Sequence, residues 1–433
     1  MPERGFPSPA ALRSGEVDLI AHVQAICDRI DAEDPLIEAL LPEPARRQRL
    51  TEEAEELLAR FPDAARRPSL FGLLVGVKDF FRVDGFPTRA GSKLPASLFD
   101  GPESAVVTLL RRSGALIAGK AVTTEFAYFQ PGPTRNPHNL EHTPGGSSSG
   151  SAAGVAAGFY PLALGTQTIG SVIRPAAFCG IIGFKPSYDR IPTADMLFFS
   201  PSVDHVGLFT QDVATMRMAC SALCDSWESC AGDAGGSAPV LAVPDGPYLD
   251  EAEEVGRRHF EETLERLAGE GFGIVRVPFF PDYAELNRRH RRLTAIEVAQ
   301  IHRDWYREHS EQYSVHMHEI MRTGATVTET ERDEIRADQL RLRHAMEEAL
   351  LSAGADLWIA PAATGPAPHG IHATGNPIMN LPWTNAGVPA LSIPAGVAEN
   401  GMPLAVQFCA PFGADEGLLA WGEEIEAKVR GGA

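Results

Sequence analysis

The stretch TPGGSSSGSAAGVAAGFYPLALGTQTIGSVIRPAAFCGIIGFKP, residues 143–186, decides how this chain is read. Its first third is serine and glycine, the composition of a flexible linker, but a linker stays polar and separates two self-sufficient blocks. Here the serines run straight into a small-residue segment of helical character and then into apolar strand. The stretch therefore belongs to a folded site that needs several hydroxyls and very little side chain.

Working outward, the run SLFGLLVGVKDFF at 69–81 predicts a strand, AVVTLLRRSG at 105–114 a helix ending at Gly114, and ALIAGKAV at 115–122 a second buried strand. Strand and helix alternate from about residue 70 to 215. The pattern repeats in APVLAVPDG, the helix EAEEVGRRHFEETLERLAGEGF and GIVRVPFF across 238–280, which implies a mainly parallel sheet. Residues 282–353 read as charged helices, and the sheet resumes in DLWIAPA, ALSIPAG and LAVQFCA. Residues 16–61 carry helical periodicity and predict a helical layer packed against the rest of the chain.

The 433 residues carry 57 acidic against 38 basic side chains, a formal charge of −19, which offers no footprint for nucleic acid or for an anionic membrane. The N-terminus has no apolar core of a signal peptide and no run is long enough to span a bilayer, so the expected location is cytoplasmic. Six cysteines (27, 179, 220, 224, 230 and 409) include no C-x-x-C pair and read as small buried apolar residues. His138 and His142 lie four apart in a proline-flanked turn, which reads as solvated loop rather than a metal site, and neither a metal nor a cofactor is expected.

Three catalytic readings compete for the serine cluster. Gly146, Ser148 and Gly150 satisfy the G-x-S-x-G elbow, but the residues before them are turn chemistry with two prolines where that motif needs a strand. Gly114, Gly119 and Lys120 have P-loop spacing, but Ala121 stands where the magnesium-binding hydroxyl belongs. The third reading joins Lys78 at the end of an apolar strand, the serine cluster, and the glycine-flanked Ser171.

On those residues the chain resembles the amidase signature family, whose pattern is approximately G-G-S-S-G-G-S followed by G-T-D-T-G-G-S-I-R-I-P-A-A-F-C-G. Ser147 and Ser171 have that pattern's spacing of 24, and Lys78 precedes Ser147 by 69. GKAVTTEFA, NPHN and the C-terminal TNAGVPALSIPAGVAENGMPLAVQF add to the match, which covers roughly residues 17–426. The resemblance implies one α/β domain over 1–433, with a large mixed central sheet covered on both faces by helices. Within it lie a helical layer at about 1–65, the catalytic signature at 72–190 and a variable, substrate-shaping helical region at 215–350.

It also implies roles. Ser171 would be the nucleophile, Ser147 the proton relay and Lys78 the base, which an amine with an unperturbed pKa near 10.4 can be only if desolvated; the alternative for Lys78 is a strand-end lysine reaching water. Backbone N–H groups of Thr168, Ile169, Gly170 and Ser171 would form the oxyanion hole, Gly170 letting a carbonyl approach without a Cβ in the way, and a cis peptide would lead into Ser147. Asp204 and His205 are expected to be structural.

The departures are Gln167 for Asp, Ile169 for Gly, and an arginine displaced to Arg174. Ile169 is discordant, since a β-branched residue cannot take a positive φ cheaply. These changes resemble the malonamidase branch, in which the arginine matching Arg174 holds the substrate carboxylate; Gly146 and Gln167 would join it in substrate binding. Arg174 has a second reading, pairing with a protein carboxylate to brace the turn. The expected activity is hydrolysis of a small-molecule amide, such as malonamate, to acid and ammonia or amine. The alternatives are a glutaminase resembling the A subunit of a tRNA-dependent amidotransferase, acting in a complex, and a non-catalytic binding member. A homodimer is left open.

Overall fold

The computed structural model describes residues 5–228 and 238–430. Ten strands form one sheet: β1 Leu74–Lys78, β2 Leu116–Ala121, β3 Leu162–Gln167, β4 Ile182–Lys185, β5 His205–Thr210, β6 Leu241–Asp245, β7 Ile274–Pro278, β8 Leu357–Pro361, β9 Ala390–Val397 and β10 Pro403–Cys409. Their order across the sheet is β2-β1-β3-β5-β4-β9-β10-β8-β6-β7.

The expectation of a mainly parallel sheet needs correction. Parallel pairing is confined to the two ends, β2-β1-β3 and β8-β6-β7, and every pairing from β3 through β5, β4, β9 and β10 to β8 is antiparallel. Burial explains the error: each of β1 to β5 is buried at every position, and a strand covered on both faces reads as the same apolar run whichever way it points. The Asn400-Gly401 pair between β9 and β10 was the available antiparallel signal, and Gly401 closes that turn onto Ala398 O.

Helices cover the sheet in two layers. Ser149–Ala156 and Ile173–Cys179 pack on one another and on β1, β3, β4, β9 and β10, while Val213–Leu223 and Asp415–Arg430 pair over β5 and β9. The first of these shows why the quoted stretch is so poor in side chain. A Cβ at Gly150 would sit 2.1 Å from Ala39 O, and one at Gly154 would sit 1.9 Å from Tyr160 Oη. The helix is wedged too closely for anything larger. The predicted N-terminal layer is present as Leu19–Ile37 and Arg46–Arg60, the latter burying Leu50, Ala54 and Leu57 at helical spacing.

Residues between β7 and β8 form the charged helices Tyr283–Ile301, Arg303–His309, Val315–Gly324 and Glu329–Ala353. Cys27, Cys179, Cys220, Cys224 and Cys409 are buried free thiols; Cys230 lies outside the described residues. Among the described residues no helix is long and apolar enough to cross a membrane.

Candidate active site

Lys78 ends β1, and its side chain is fully buried. Its Nζ stands 2.7 Å from Ser147 Oγ and 2.7 Å from Thr166 Oγ1, the latter on neighbouring β3. The side chain does not reach water, so the snorkelling alternative fails. Burial pushes the Lys78 pKa well below the usual lysine range, and the charge of Asp204 works against that shift.

Ser147 is presented by a turn, not by a strand. Its carbonyl accepts hydrogen bonds from Thr124 N and Thr123 Oγ1, both at 3.2 Å, and the Gly146–Ser147 peptide is cis. Ser148, the serine of the elbow reading, is buried and exchanges hydrogen bonds with Thr166 N and O instead. Lys120, from the P-loop reading, is spent on Asp79 at 2.8 Å and on Phe81 O at 2.7 Å.

Ser171 lies in the turn between β3 and the helix Ile173–Cys179, facing the same narrow cleft as Ser147. Its Oγ makes no hydrogen bond among the described residues, and no Ser147–Ser171 bond is formed. In the same turn the N–H groups of Thr168, Ile169, Gly170 and Ser171 have no acceptor among the described residues, which leaves four consecutive donors free beside the nucleophile. Such a set can hold a developing oxyanion.

The turn is held from behind. Thr168 O is within 3.1 Å of His290 Nε2, and Thr384 Oγ1 donates to Ile169 O at 2.6 Å. Burial pushes His290 down to about 4, so the ring is neutral near pH 7. Ile169 is not among the residues of positive φ, so the conflict expected from its β-branched side chain does not arise. Gly170 is required for a reason other than substrate approach: a Cβ there would meet Asn380 Oδ1 at 2.3 Å and Pro377 Cβ at 3.0 Å.

Arg174 is 2 % exposed and reaches the cleft. It donates to Gly146 O at 2.6 Å, to Gly375 O at 2.8 Å and to Thr374 Oγ1 at 3.2 Å, while its Nε has no partner. No carboxylate pairs with it among the described residues, so the bracing reading is corrected: the turn is braced through carbonyls, and the charge has no counter-ion. Burial lowers its pKa to about 9, which still leaves it protonated at neutral pH.

Gly146 and Gln167 do not line the cleft. The Gly146 carbonyl serves Arg174; Gln167 Oε1 accepts from Val172 N at 2.8 Å and Ile173 N at 3.0 Å, and its Nε2 donates to Thr384 Oγ1 at 2.9 Å. The Gln167 amide oxygen thus caps the helix carrying Arg174, and the side chain is fully buried away from the cleft.

The remaining walls are Ala127, Tyr128, Phe129, Phe199 and Pro377, enclosing a cavity of about 20 Å³. Tyr128 stacks on Phe199 at 5.1 Å between centroids. A larger cavity of about 660 Å³ lies beyond Thr123, bounded by Asp34, Arg46 and Arg89, and holds neither serine of the cleft.

Sequence reasoning missed Thr166, whose hydroxyl shares Lys78, and had no signal for His290, Thr384 or Asn380, which come from distant helices. His142, expected in solvated loop, is buried, with Nδ1 at 2.8 Å from Ala367 O; His138 is closer to that expectation but still contacts Cys179 O at 2.9 Å.

Known proteins share this arrangement of sheet and sequence. The profile of the family described as Amidase matches residues 21–419. The glutamyl-tRNA(Gln) amidotransferase A subunit of Thermus thermophilus is 31% identical over 95% of this chain and 94% of its own. That of Exiguobacterium sibiricum is 30% identical over 92% and 91%. A crystal structure of an amidase superposes with a TM-score of 0.84 at 31% identity, covering 98% of this chain and 99% of that one.

Proposed function

The chain belongs to the amidase family and is an amide hydrolase, and from that premise we propose that it cleaves a small carboxylic amide through an acyl-enzyme on Ser171, with preference for an acyl group that ends in a carboxylate. Neutral Lys78 takes the Ser147 proton as Ser147 takes that of Ser171, and Ser171 Oγ attacks the carbonyl carbon. The oxyanion forms among the N–H groups of residues 168–171. As the C–N bond breaks, the proton returns from Lys78 through Ser147 to the departing nitrogen. Water then attacks the ester, giving its proton along the same path to Lys78, and that proton returns through Ser147 to Ser171 Oγ as the acyl C–O bond breaks and the acid leaves.

The observation that carries the reading is Lys78, wholly buried, hydrogen-bonded to Ser147 and, among the described residues, without a carboxylate in contact. A lysine there is costly unless its neutral form is used. The acyl preference rests on Arg174, a buried guanidinium that lines the same cleft as Ser171 and has no counter-ion among the described residues. The aromatic walls favour a short acyl chain, malonamate-like in size. A fluorophosphonate should label Ser171, and Ser171→Ala should fold and lose several orders of magnitude in turnover. An adduct on another residue by peptide mass overturns the assignment.

A second reading rests on the names of the curated relatives, which are those of amidotransferase components: a glutaminase working in a complex. Hydrolysis of glutamine by the isolated chain at a higher kcat/KM than any carboxylate-bearing short monoamide would favour it.

A further inference from the structure

Asp204 immediately precedes β5, is 2 % exposed, and belongs to neither the proposed triad nor the oxyanion donors. Its two oxygens face in different directions. Oδ1 accepts the hydroxyl of Thr168, in the oxyanion turn, at 2.5 Å. Oδ2 accepts Phe199 N at 2.7 Å and Ser200 N at 2.9 Å, fixing the backbone that carries the Phe199 wall. One carboxylate therefore ties two opposite sides of the cleft together.

Resting on the reading of Ser171, Ser147 and Lys78 given above, we propose that Asp204 is a positioning residue for amide hydrolysis: it fixes the oxyanion donors against the Phe199 wall and places a negative charge behind Lys78. A residue needed only to close the loop from 199 to 204 would not require Oδ1 to reach Thr168. The hydroxyl of Thr168 is held on that side while its carbonyl is held by His290 on the other, so the four donors share one rigid frame. Such fixed donors act on the transition state rather than on ground-state binding.

The charge matters separately. The charge of Asp204 raises the proton affinity of Lys78 against burial. Burial brings Asp204 itself up to about 7 despite its three hydrogen bonds, with Glu297 adding to the rise. The titratable groups around it are Lys78 from β1, Glu297 and His290 from the helix Tyr283–Ile301, His205 beside it in sequence, and Tyr188. Glu297 is occupied by Ser200 Oγ and Ser202 N, and His290 and His205 are both driven towards the neutral form, so Asp204 is the anion whose loss Lys78 feels.

The test uses the full chain and any amide the wild type turns over. Asp204→Asn keeps an oxygen for Phe199 N and Ser200 N but turns Nδ2 toward Thr168 and removes the charge. We expect kcat to fall about 10- to 100-fold with KM within about threefold. Because Lys78 must be neutral to act, and an anion nearby favours its protonated form, the acid limb of the kcat/KM profile should move to lower pH. Thr168→Val should reproduce the fall in kcat, and Thr168→Ser should restore it. Unchanged kcat in Thr168→Val overturns the positioning role even if Asp204→Asn fails to fold, and an unmoved limb in a folded Asp204→Asn overturns the charge role. Retained turnover in Ser171→Ala would instead defeat the underlying reading, which these variants leave untouched.

Discussion

The Nζ of Lys78 and the Oγ of Ser147 are 2.7 Å apart, both side chains buried, sixty-nine residues distant in sequence and joined side chain to side chain. The contact makes the two a single acid–base unit. Lys78→Ala should therefore cost nearly as much kcat as Ser171→Ala, and Ser147→Ala somewhat less, because Lys78 would still be present to meet an intervening water. The double variant Lys78→Ala/Ser147→Ala should be little worse than Lys78→Ala. Additive losses in steady-state kinetics would show that the two act independently.

Arg174 separates substrate anchoring from bracing. Arg174→Ala should cost a carboxylate-bearing monoamide about 2 to 5 kcal/mol in kcat/KM, taking the loss of one partner of a buried charge pair as the guide. A neutral amide of the same size should lose far less, since for it only the hydrogen bonds to Gly146 O, Gly375 O and Thr374 Oγ1 are removed. Equal losses for the two substrates would assign the guanidinium to bracing alone.

Gly170→Ala should lower kcat about 10- to 100-fold, because its Cβ, 2.3 Å from Asn380 Oδ1, forces the turn and its donors to move. Asn380 Oδ1 has no hydrogen-bond partner of its own, so shortening that side chain relieves the clash directly. Gly170→Ala/Asn380→Ala should recover part of the loss relative to Gly170→Ala. A double variant that is worse by the sum of the two single effects would show that the clash is not the cause.

Lys185, at the end of β4, is buried without a carboxylate in contact, and donates to Val388 O at 2.5 Å and Pro186 O at 3.2 Å. Burial lowers its pKa from 10.5 to about 7. Between those values the unfolded chain holds a proton that the folded chain has released, so this group makes unfolding free energy rise with pH from about 7 towards 10.5 and makes no difference to the slope below that window. Lys185→Met should flatten the slope by up to about 1.4 kcal/mol per pH unit, one proton's worth, in urea unfolding followed across that range. Identical slopes in the two proteins would mean that Lys185 stays charged in the fold.

The part of the site that was legible from sequence is the part whose chemistry depends on backbone and hydroxyls held in consecutive residues. Ser147, Ser171 and the turn at 168–171 lie within one short stretch, and the glycines and alanines around them mark close packing that no other composition allows. Lys78 was visible because a cation in an apolar strand demands an explanation. What escaped was the support: Thr384, Asn380 and His290 reach the turn from more than a hundred residues away, and an ordinary polar residue on a charged helix carries no sign of its distant partner. Strand direction escaped for a similar reason, since burial on both faces erases the alternation that would have reported it. Gln167 and Arg174 show the limit of reading a substitution singly. The amide at 167 is consumed in capping the helix that carries Arg174, so the missing acid leaves that arginine without a carboxylate to neutralise it.

The four charged helices from Tyr283 to Ala353 enter the chain as one block between β7 and β8; their polar contacts with the rest include His290 on Thr168 O and Asn385 Oδ1, Glu297 on Ser200 and Ser202, Ser314 N on the Glu125 carboxylate and Gln339 on Asn385 O, and Ala295, Val298, Tyr313, Met317 and Ile320 form an apolar seam with Phe80, Phe99, Phe126 and Phe199. That makes the block a cartridge. A segment taken from another amidase would re-shape the far side of the cleft and leave the strands, the serines and Lys78 where they are only if it supplied both that apolar seam and the polar fasteners.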